Sequence, residues 1–318
     1  MGDLPRQRVT PSPAFSITGV DYAGPILVKQ GTHRAKVIKA FIAIFVCMAT
    51  KAVHLELVSD LTSDAFLAAL QRFVSRRGIV SEMHSDNATN FHGTNNELHK
   101  LYEMFRNQPD VDKILQYCHA KEIEWHFIPP DSPEFGGLWE AAVKCTKTHL
   151  KRVVGNKTLN FEEMATILCE IEAVLNPRPL FAISGDPGDP EVITPAHFLI
   201  GRPMTAVPEP SYQDLNVGRL SRWQHLQLLR EQFWRAWSRD YLSSLQPRKK
   251  NWNTSTNARP GMIVLIKDKN RPPLQWKLGH ITSVHCSSWP RRPGPGSGRF
   301  QRRQNFYTAH HEVVNFAN

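Results

Sequence analysis

Cysteine is scarce and scattered in this 318-residue chain: Cys47, Cys118, Cys145, Cys169 and Cys286, odd in number and without a CxxC pair. That pattern excludes a disulfide framework or a zinc knuckle, and it sets the expectation of a reducing compartment. Long apolar runs are missing too. The most apolar stretch, Ala40 to Ala49, is half the ~20 residues needed to cross a bilayer and reads as a buried strand. The opening Met1-Gly-Asp-Leu-Pro-Arg6 lacks the apolar region of a signal peptide. Acidic residues are outnumbered, with Asp+Glu at 29 against Lys+Arg at 39 and a net charge of +10. Such an excess favours contact with phosphates, and it is equally at home on a soluble protein with a basic surface. Hydrophobic residues make up 41% and support folded cores. The length suits one sizeable domain with one or two small ones.

What is present is a strand-rich first half. Phe15 to Val28 and Val37 to Met48 are rich in Val, Ile and Phe, and Val53 to Val58 alternates apolar with polar. All three read as consecutive antiparallel strands joined by short turns. Thr62-Ser-Asp-Ala-Phe66 opens a helix with capping residues, and Phe66, Leu67, Leu70, Phe73 and Val74 share one face before Gly78 stops it. A strand at Val80 to Ser85, helical spacing at Asn95 to Phe105 and Asp112 to Ala120, and a fifth strand at Ile123 to Ile128 follow. The next long helix, Gly136 to Val154, carries Trp139, Val143, Leu150 and Val153 on one stripe and Glu140, Lys144, Lys147 and Lys151 on its neighbour.

Three carboxylates stand in distinctive settings within this order. Asp21 lies in Thr18-Gly-Val-Asp-Tyr-Ala-Gly24, Asp86 in His84-Ser-Asp-Asn87, and Glu140 in Phe135-Gly-Gly-Leu-Trp-Glu-Ala-Ala142. Separated acids that converge in a fold hold divalent metal for phosphodiester chemistry. Mg²⁺ takes only one or two carboxylates and keeps water and phosphate, so three acids can serve two ions about 3.5–4 Å apart. Convergence requires the first and fourth strands to be neighbours. Plainer roles compete at each position. Asp21 can begin a turn with Gly24-Pro25, Asp86-Asn87 can be an Asx turn or helix cap, and Glu140 can pair with Lys144 at i,i+4. Asp131 and Glu134 also compete as the third ligand.

Taken together, these blocks resemble the catalytic core of retroviral and retrotransposon integrases. Thr18 to Pro25, Ser85-Asp-Asn-Ala-Thr-Asn-Phe91 and Phe135 to Lys144 are similar to the corresponding blocks of Pao/BEL-type integrases. The resemblance implies an α/β, ribonuclease-H-like mixed five-stranded sheet flanked by helices, followed by a long helix and a small, incomplete β-barrel module. It makes Asp21, Asp86 and Glu140 the catalytic, metal-binding triad, served by two Mg²⁺ or Mn²⁺ ions, with Ser85, Asn87, Gly136 and Gly137 in support. Glu140 follows Asp86 by 54 positions (140 − 86), a long interval that the helical insert around Leu98 to Ala120 accounts for. Lys144, Lys147, Lys151, Arg152, Lys249, Lys250 and Lys267 are the expected DNA contacts.

The implied reaction is attack on a DNA phosphodiester, by water to trim an element end and then by the 3′-hydroxyl to join it to target DNA. A homo-oligomer, no membrane partner and a nuclear location, with the cytoplasm as the alternative, follow from that substrate. Other readings are a catalytically silent DNA-binding protein of transposon origin and a ribonuclease-H-like nuclease that cuts without joining. Two departures from the family pattern are visible. Ala88 stands where the family usually has glycine after Asp-Asn, and the upstream His/Cys zinc module is not in this sequence, so no zinc is expected and the chain reads as incomplete at both ends.

The expected organisation is an N-terminal arm at 1–12, a catalytic core at 13–202, a linker at 203–216, a long helix at 217–247, a β module at 256–286 and a basic, disordered tail at 287–318. Within the core, Phe161 to Leu175 reads as a helix ended by Asn176-Pro-Arg-Pro179. In the long helix, Trp223, Leu226, Arg230, Phe233, Trp234, Trp237 and Tyr241 fall near one stripe. An aromatic stripe can stack bases, but at helical spacing it is more often core or a helix contact.

Overall fold

The computed structural model describes residues 10–31, 36–85, 108–127, 147–154, 159–183, 191–205, 209–245, 260–268, 271–283 and 313–315. Its centre is β1 (Ile17–Gln30), whose Val, Ile and Leu residues suit a strand covered on both faces. β1 pairs antiparallel with β2 (Lys36–Cys47), and β2 pairs antiparallel with β3 (Val53–Val58). On its other side β1 runs parallel to β4 (Glu82–Ser85), which runs parallel to β5 (Glu124–Phe127). The order β3-β2-β1-β4-β5, antiparallel then parallel, is the mixed five-stranded ribonuclease-H-like sheet. A two-residue β6 (Leu159–Asn160) adds a parallel pairing to the far end of β1.

Helices cover both faces, so β2 reads as a nearly continuous buried run. On one face lie α1 (Ser63–Arg77) and α2 (Gln108–Ala120), where Phe45 stacks on Phe73 at 4.2 Å between ring centroids and Phe15 meets Phe73 edge-on at 5.2 Å. On the other lie α3 (residues 147–154), α4 (Phe161–Leu175) and α6 (Arg222–Leu245), whose Leu150, Ile167, Leu229 and Phe233 pack with Ile42 and Ile44. Capping sets the helix limits. The Thr62 hydroxyl accepts the Ala65 N–H at 3.2 Å, and Gly78, at φ 95°, ends α1. Asn160 and Glu163 close a reciprocal capping box on α4.

β3 is an edge strand, and its outward backbone groups are covered by side chains. Asn176 takes both the N–H and the C=O of Val53 at 2.9 Å, Glu172 accepts the Leu55 N–H at 3.1 Å, and Arg72 donates to the Leu57 carbonyl at 2.9 Å. An edge left bare would template pairing with another chain. Arg178 donates to the Leu175 and Lys51 carbonyls, so Asn176-Pro-Arg-Pro179 is a clasp between α4 and this edge.

β7 (Phe181–Ala182) and β8 (Val192–Ile193) form a small ribbon leading to α5 (Pro195–Ile200). The long helix begins at Arg222, after a 3₁₀ turn at Val217–Arg219, five residues later than the periodicity indicates. Its aromatic stripe is interior: Phe233, Trp234 and Trp237 are buried and only Trp223, 58% exposed, faces solvent. Trp276 packs on Trp234, Trp237 and Tyr241 with ring centroids 4.9–5.9 Å apart. That aromatic cluster seats the β module, in which β9 (Ile263–Ile266) pairs antiparallel with β10 (Lys277–His280).

The expected disordered tail contains an exception. Residues of β11 (Val313–Asn315) pair antiparallel with the free side of β9, so 313–315 complete a three-stranded sheet. An open strand edge offers unpaired N–H and C=O groups, and the Val-Val pair suits a strand. The N-terminal end of the 136–154 helix, the helix expected at Asn95 to Phe105 and the Gly185 to Pro190 loop lie outside the described residues. No helix among the described residues is long and apolar enough to cross a membrane.

Candidate active site

Asp21 lies within β1, paired with Ile44 of β2, and not at a turn. The strand continues through Gly24-Pro25 as a bulge, the register shifting between Ala23 and Ile26. Gly24 is needed there, since its φ is 139° and a Cβ would stand 2.9 Å from the Phe41 ring. The turn reading of Asp21 is therefore replaced by a strand position, which alternation fixes on one face of the sheet.

The register of β1 with β4 pairs Thr18 with Met83, Gly19 with His84 and Val20 with Ser85. The first and fourth strands are thus neighbours, as convergence of the acids requires. Asp21 follows Val20 on β1, one position beyond the last registered pair of β1 with β4. Asp86 itself, Asn87, Glu140, Gly136, Gly137 and Lys144 lie outside the described residues, as do Lys249 and Lys250.

Lys147 of α3 reaches across to the sheet. Its ammonium donates to Asp21 Oδ2 at 2.9 Å, while Oδ1 accepts the Tyr22 N–H at 2.6 Å. The side chains of Lys147 and Asp21 are 32% and 22% exposed, so this carboxylate is open to water and already offers an oxygen to a cation. Lys151 and Arg152, further along α3, are exposed. Tyr22 points to the opposite face, where burial pushes its phenol well up.

Ser85 is buried on that opposite face, its hydroxyl accepting from Trp125 Nε1 at 3.1 Å. Its contact is a cross-strand brace between β4 and β5. Lys267 lies apart, in a cleft of about 590 Å³ between α6 and β9 lined also by Trp234, Arg235, Ser238, Arg239, Leu242 and Asp268. Arg235 and Arg239 escaped sequence reading because the aromatic stripe dominated the helix, although they stand at i,i+4 and each directly follows another residue of the cleft, Trp234 or Ser238. Glu82, His84 and His126 were missed as well. The three lie together on the same sheet face as Asp21, and only the β4–β5 register, His84 opposite His126, brings them together. Burial holds the His84 imidazole below its ordinary pKa, against the hydrogen bond to Glu82 and with the charge of His126 adding to it.

Comparisons with known proteins cover different parts of the chain. Residues 221–289, spanning α6 and the first two strands of the β module, match a family of unknown function, DUF5641. No curated protein matches the chain. Among solved structures, it is similar to the simian T-cell lymphotropic virus intasome in complex with PP2A regulatory subunit B56 gamma, at 11% identity and TM-score 0.39, covering 99% of this chain and 82% of that one. It is also similar to the HTLV-2 integrase catalytic core domain in complex with magnesium, at 14% identity and TM-score 0.33, covering 53% and 90%. The BIV integrase catalytic core domain gives 16% identity and TM-score 0.35, covering 59% and 95%. The ribonuclease-H-like arrangement itself is carried by the strand order and directions described above.

Proposed function

We propose that this chain is a DNA strand-transfer enzyme of the Pao/BEL integrase type, acting through Asp21, Asp86 and Glu140. The observation that carries the reading is the parallel β1–β4 register, which brings Val20 level with Ser85 and so delivers the residues leading to two of the three acids side by side. The lysine-bearing helix that follows Glu140 docks on Asp21 through Lys147. A carboxylate and a DNA-facing lysine row thereby share one place.

Asp21 fits a divalent cation: one oxygen is satisfied by a backbone N–H, and the other faces an ammonium that an ion would displace. When bound by the three acids, Mg²⁺ or Mn²⁺ supplies activation of an attacking oxygen and charge stabilisation at the phosphate. The chain's own residues orient the DNA and the acids. Lys147, freed from Asp21, and the exposed Lys151 and Arg152 lie along α3 where a phosphate backbone can track. The substrates are element ends and target DNA, the working form is a homo-oligomer, and the site of action is the nucleus.

The deciding experiment incubates the purified chain with linear and branched DNA and Mg²⁺ or Mn²⁺, scoring cleaved and joined products separately. Joined products support strand transfer, and cleavage without joining supports a nuclease. A folded chain that binds DNA but gives neither product returns the silent DNA-binding reading. A Lys147→Ala chain is expected to bind DNA more weakly across sequences and to lower the slope of log affinity against log salt by about 1, as for one lost phosphate contact. Fluorescence anisotropy at several salt concentrations measures it, and an unchanged slope removes Lys147 from the DNA path.

A further inference from the structure

On the same face of the sheet as Asp21, but on the strands beyond it, lies a group that the strand-transfer reading does not use. Glu82 and His84 stand at i and i+2 on β4, so alternation sends both side chains to one face. His126 stands directly opposite His84 on the parallel neighbour β5. A carboxylate oxygen of Glu82 and one ring nitrogen from each histidine lie within 4.8 Å of one another. On the β1 side His84 faces Gly19, which contributes no side chain to crowd the site.

From this arrangement we propose that Glu82, His84 and His126 form a binding site for a borderline divalent transition metal of the Zn²⁺ or Co²⁺ class. Two imidazoles and a carboxylate suit such ions, whereas Mg²⁺ prefers oxygen alone. Donors bound to a tetrahedral ion stand roughly 3.3 Å apart, given metal–ligand distances of about 2.0–2.1 Å. His84 Nε2 and Glu82 Oε2 already lie 3.3 Å apart, and His126 Nε2 lies 3.4 Å from Glu124 Oε1, which with water is the candidate fourth donor.

The remaining adjustment is small and falls where movement is easy. The two imidazole rings lie 4.9 Å apart and near parallel, so His126 must turn for its nitrogen to converge with that of His84. The His126 side chain is 37% exposed and that of Glu82 30%, leaving both free to shift and giving the ion access from solvent. His84, 6% exposed, is the fixed member. An ion held here cross-links β4 to β5 directly below the point where β4 leads into Asp86. The site owes nothing to the cysteine pairs whose absence removed the expectation of zinc, because its ligands come from strand alternation and register.

The test titrates the whole untagged chain with Co²⁺, following the visible ligand-field bands, and then adds Zn²⁺ in competition. One equivalent of Co²⁺ with bands of four- or five-coordinate geometry, displaced by Zn²⁺, is expected. His126→Gln and Glu82→Gln, both at partly exposed positions and checked for folding by circular dichroism, are expected to weaken Co²⁺ binding by at least about 100-fold, the upper end for loss of a mere supporting contact. Asp21→Asn is expected to keep the four- or five-coordinate bands and their displacement by Zn²⁺, which separates this site from the strand-transfer acids, whose oxygen donors favour a six-coordinate ion. Absence of the bands, unaltered titration of His126→Gln and Glu82→Gln, or loss of the bands in Asp21→Asn would each overturn the assignment.

Discussion

Asp21→Asn is expected to lower metal-dependent DNA cleavage and joining by about 10³-fold or more, equivalent to roughly 4 kcal/mol of transition-state stabilisation. Asparagine keeps the size and one carbonyl oxygen, so the strand and its pairing with Ile44 should persist. What it loses is the charge that a hard divalent cation needs. Removing the charge also breaks the ion pair with Lys147, but partly exposed pairs contribute only about 0–1 kcal/mol, so the melting temperature should barely move. Large loss of activity with small loss of stability is the outcome for a group that the reaction needs and the fold does not. Asp86→Asn and Glu140→Gln should behave alike if the three acids act as a unit, because such effects are not additive. A chain whose DNA cleavage survives Asp21→Asn would have to cut DNA through some other group.

Much of the scaffold was legible because it depends on local pattern. The strand at Val53 to Val58 and the helix at Phe161 to Leu175 have the expected limits, since alternation, capping residues and Gly or Pro stops act over a few positions. The neighbouring of β1 and β4 was legible only as a requirement: strands more than fifty residues apart pair by tertiary packing, and nothing in either segment alone chooses the partner. The lysine stripe was similarly half visible. Spacing put Lys147 beside Lys144 and Lys151 on one helical face, but the contact with Asp21 depends on how α3 crosses the sheet.

Features that depend on register were not legible at all. Whether Glu82, His84 and His126 meet is decided by a single residue of β4–β5 offset, and a slip by one would send His126 to the other face. Ser85 illustrates the same point in reverse. It adjoins Asp86 in sequence, yet alternation turns its side chain away from the Asp21 face, onto Trp125. The β11 strand was missed because its own three residues carry too little pattern. Its order derives from the open side of β9.

Glu172→Ala should be the most destabilising single change outside the aliphatic core, costing about 3–5 kcal/mol, the range for stripping one partner from a buried charged group. The Glu172 carboxylate closes the edge of the sheet: it accepts the Leu55 N–H at 3.1 Å, meets His54 Nδ1 at 3.0 Å and is paired with Arg77. Alanine removes the acceptor of the Leu55 N–H and the carboxylate partner of His54 and Arg77 at a place where water cannot fully replace it, although Arg77 Nε keeps its hydrogen bond to His54 Nδ1. Exposed Glu162, in the first turn of the same helix, should cost no more than about 1 kcal/mol when changed to alanine. Burial alone would raise the Glu172 pKa, but the hydrogen bond from His54 and the charges of His54 and Arg77 outweigh it and leave the carboxyl below its ordinary range. The folded midpoint is therefore below the unfolded one. Its contribution is complete above the unfolded midpoint and disappears as pH falls through the folded one. Urea unfolding of the unaltered chain and Glu172→Ala should accordingly show a gap that is wide at neutral pH and narrows in acid. A gap under about 1 kcal/mol at neutral pH, or one that stays constant on acidification, would mean the edge of β3 is held without this carboxylate.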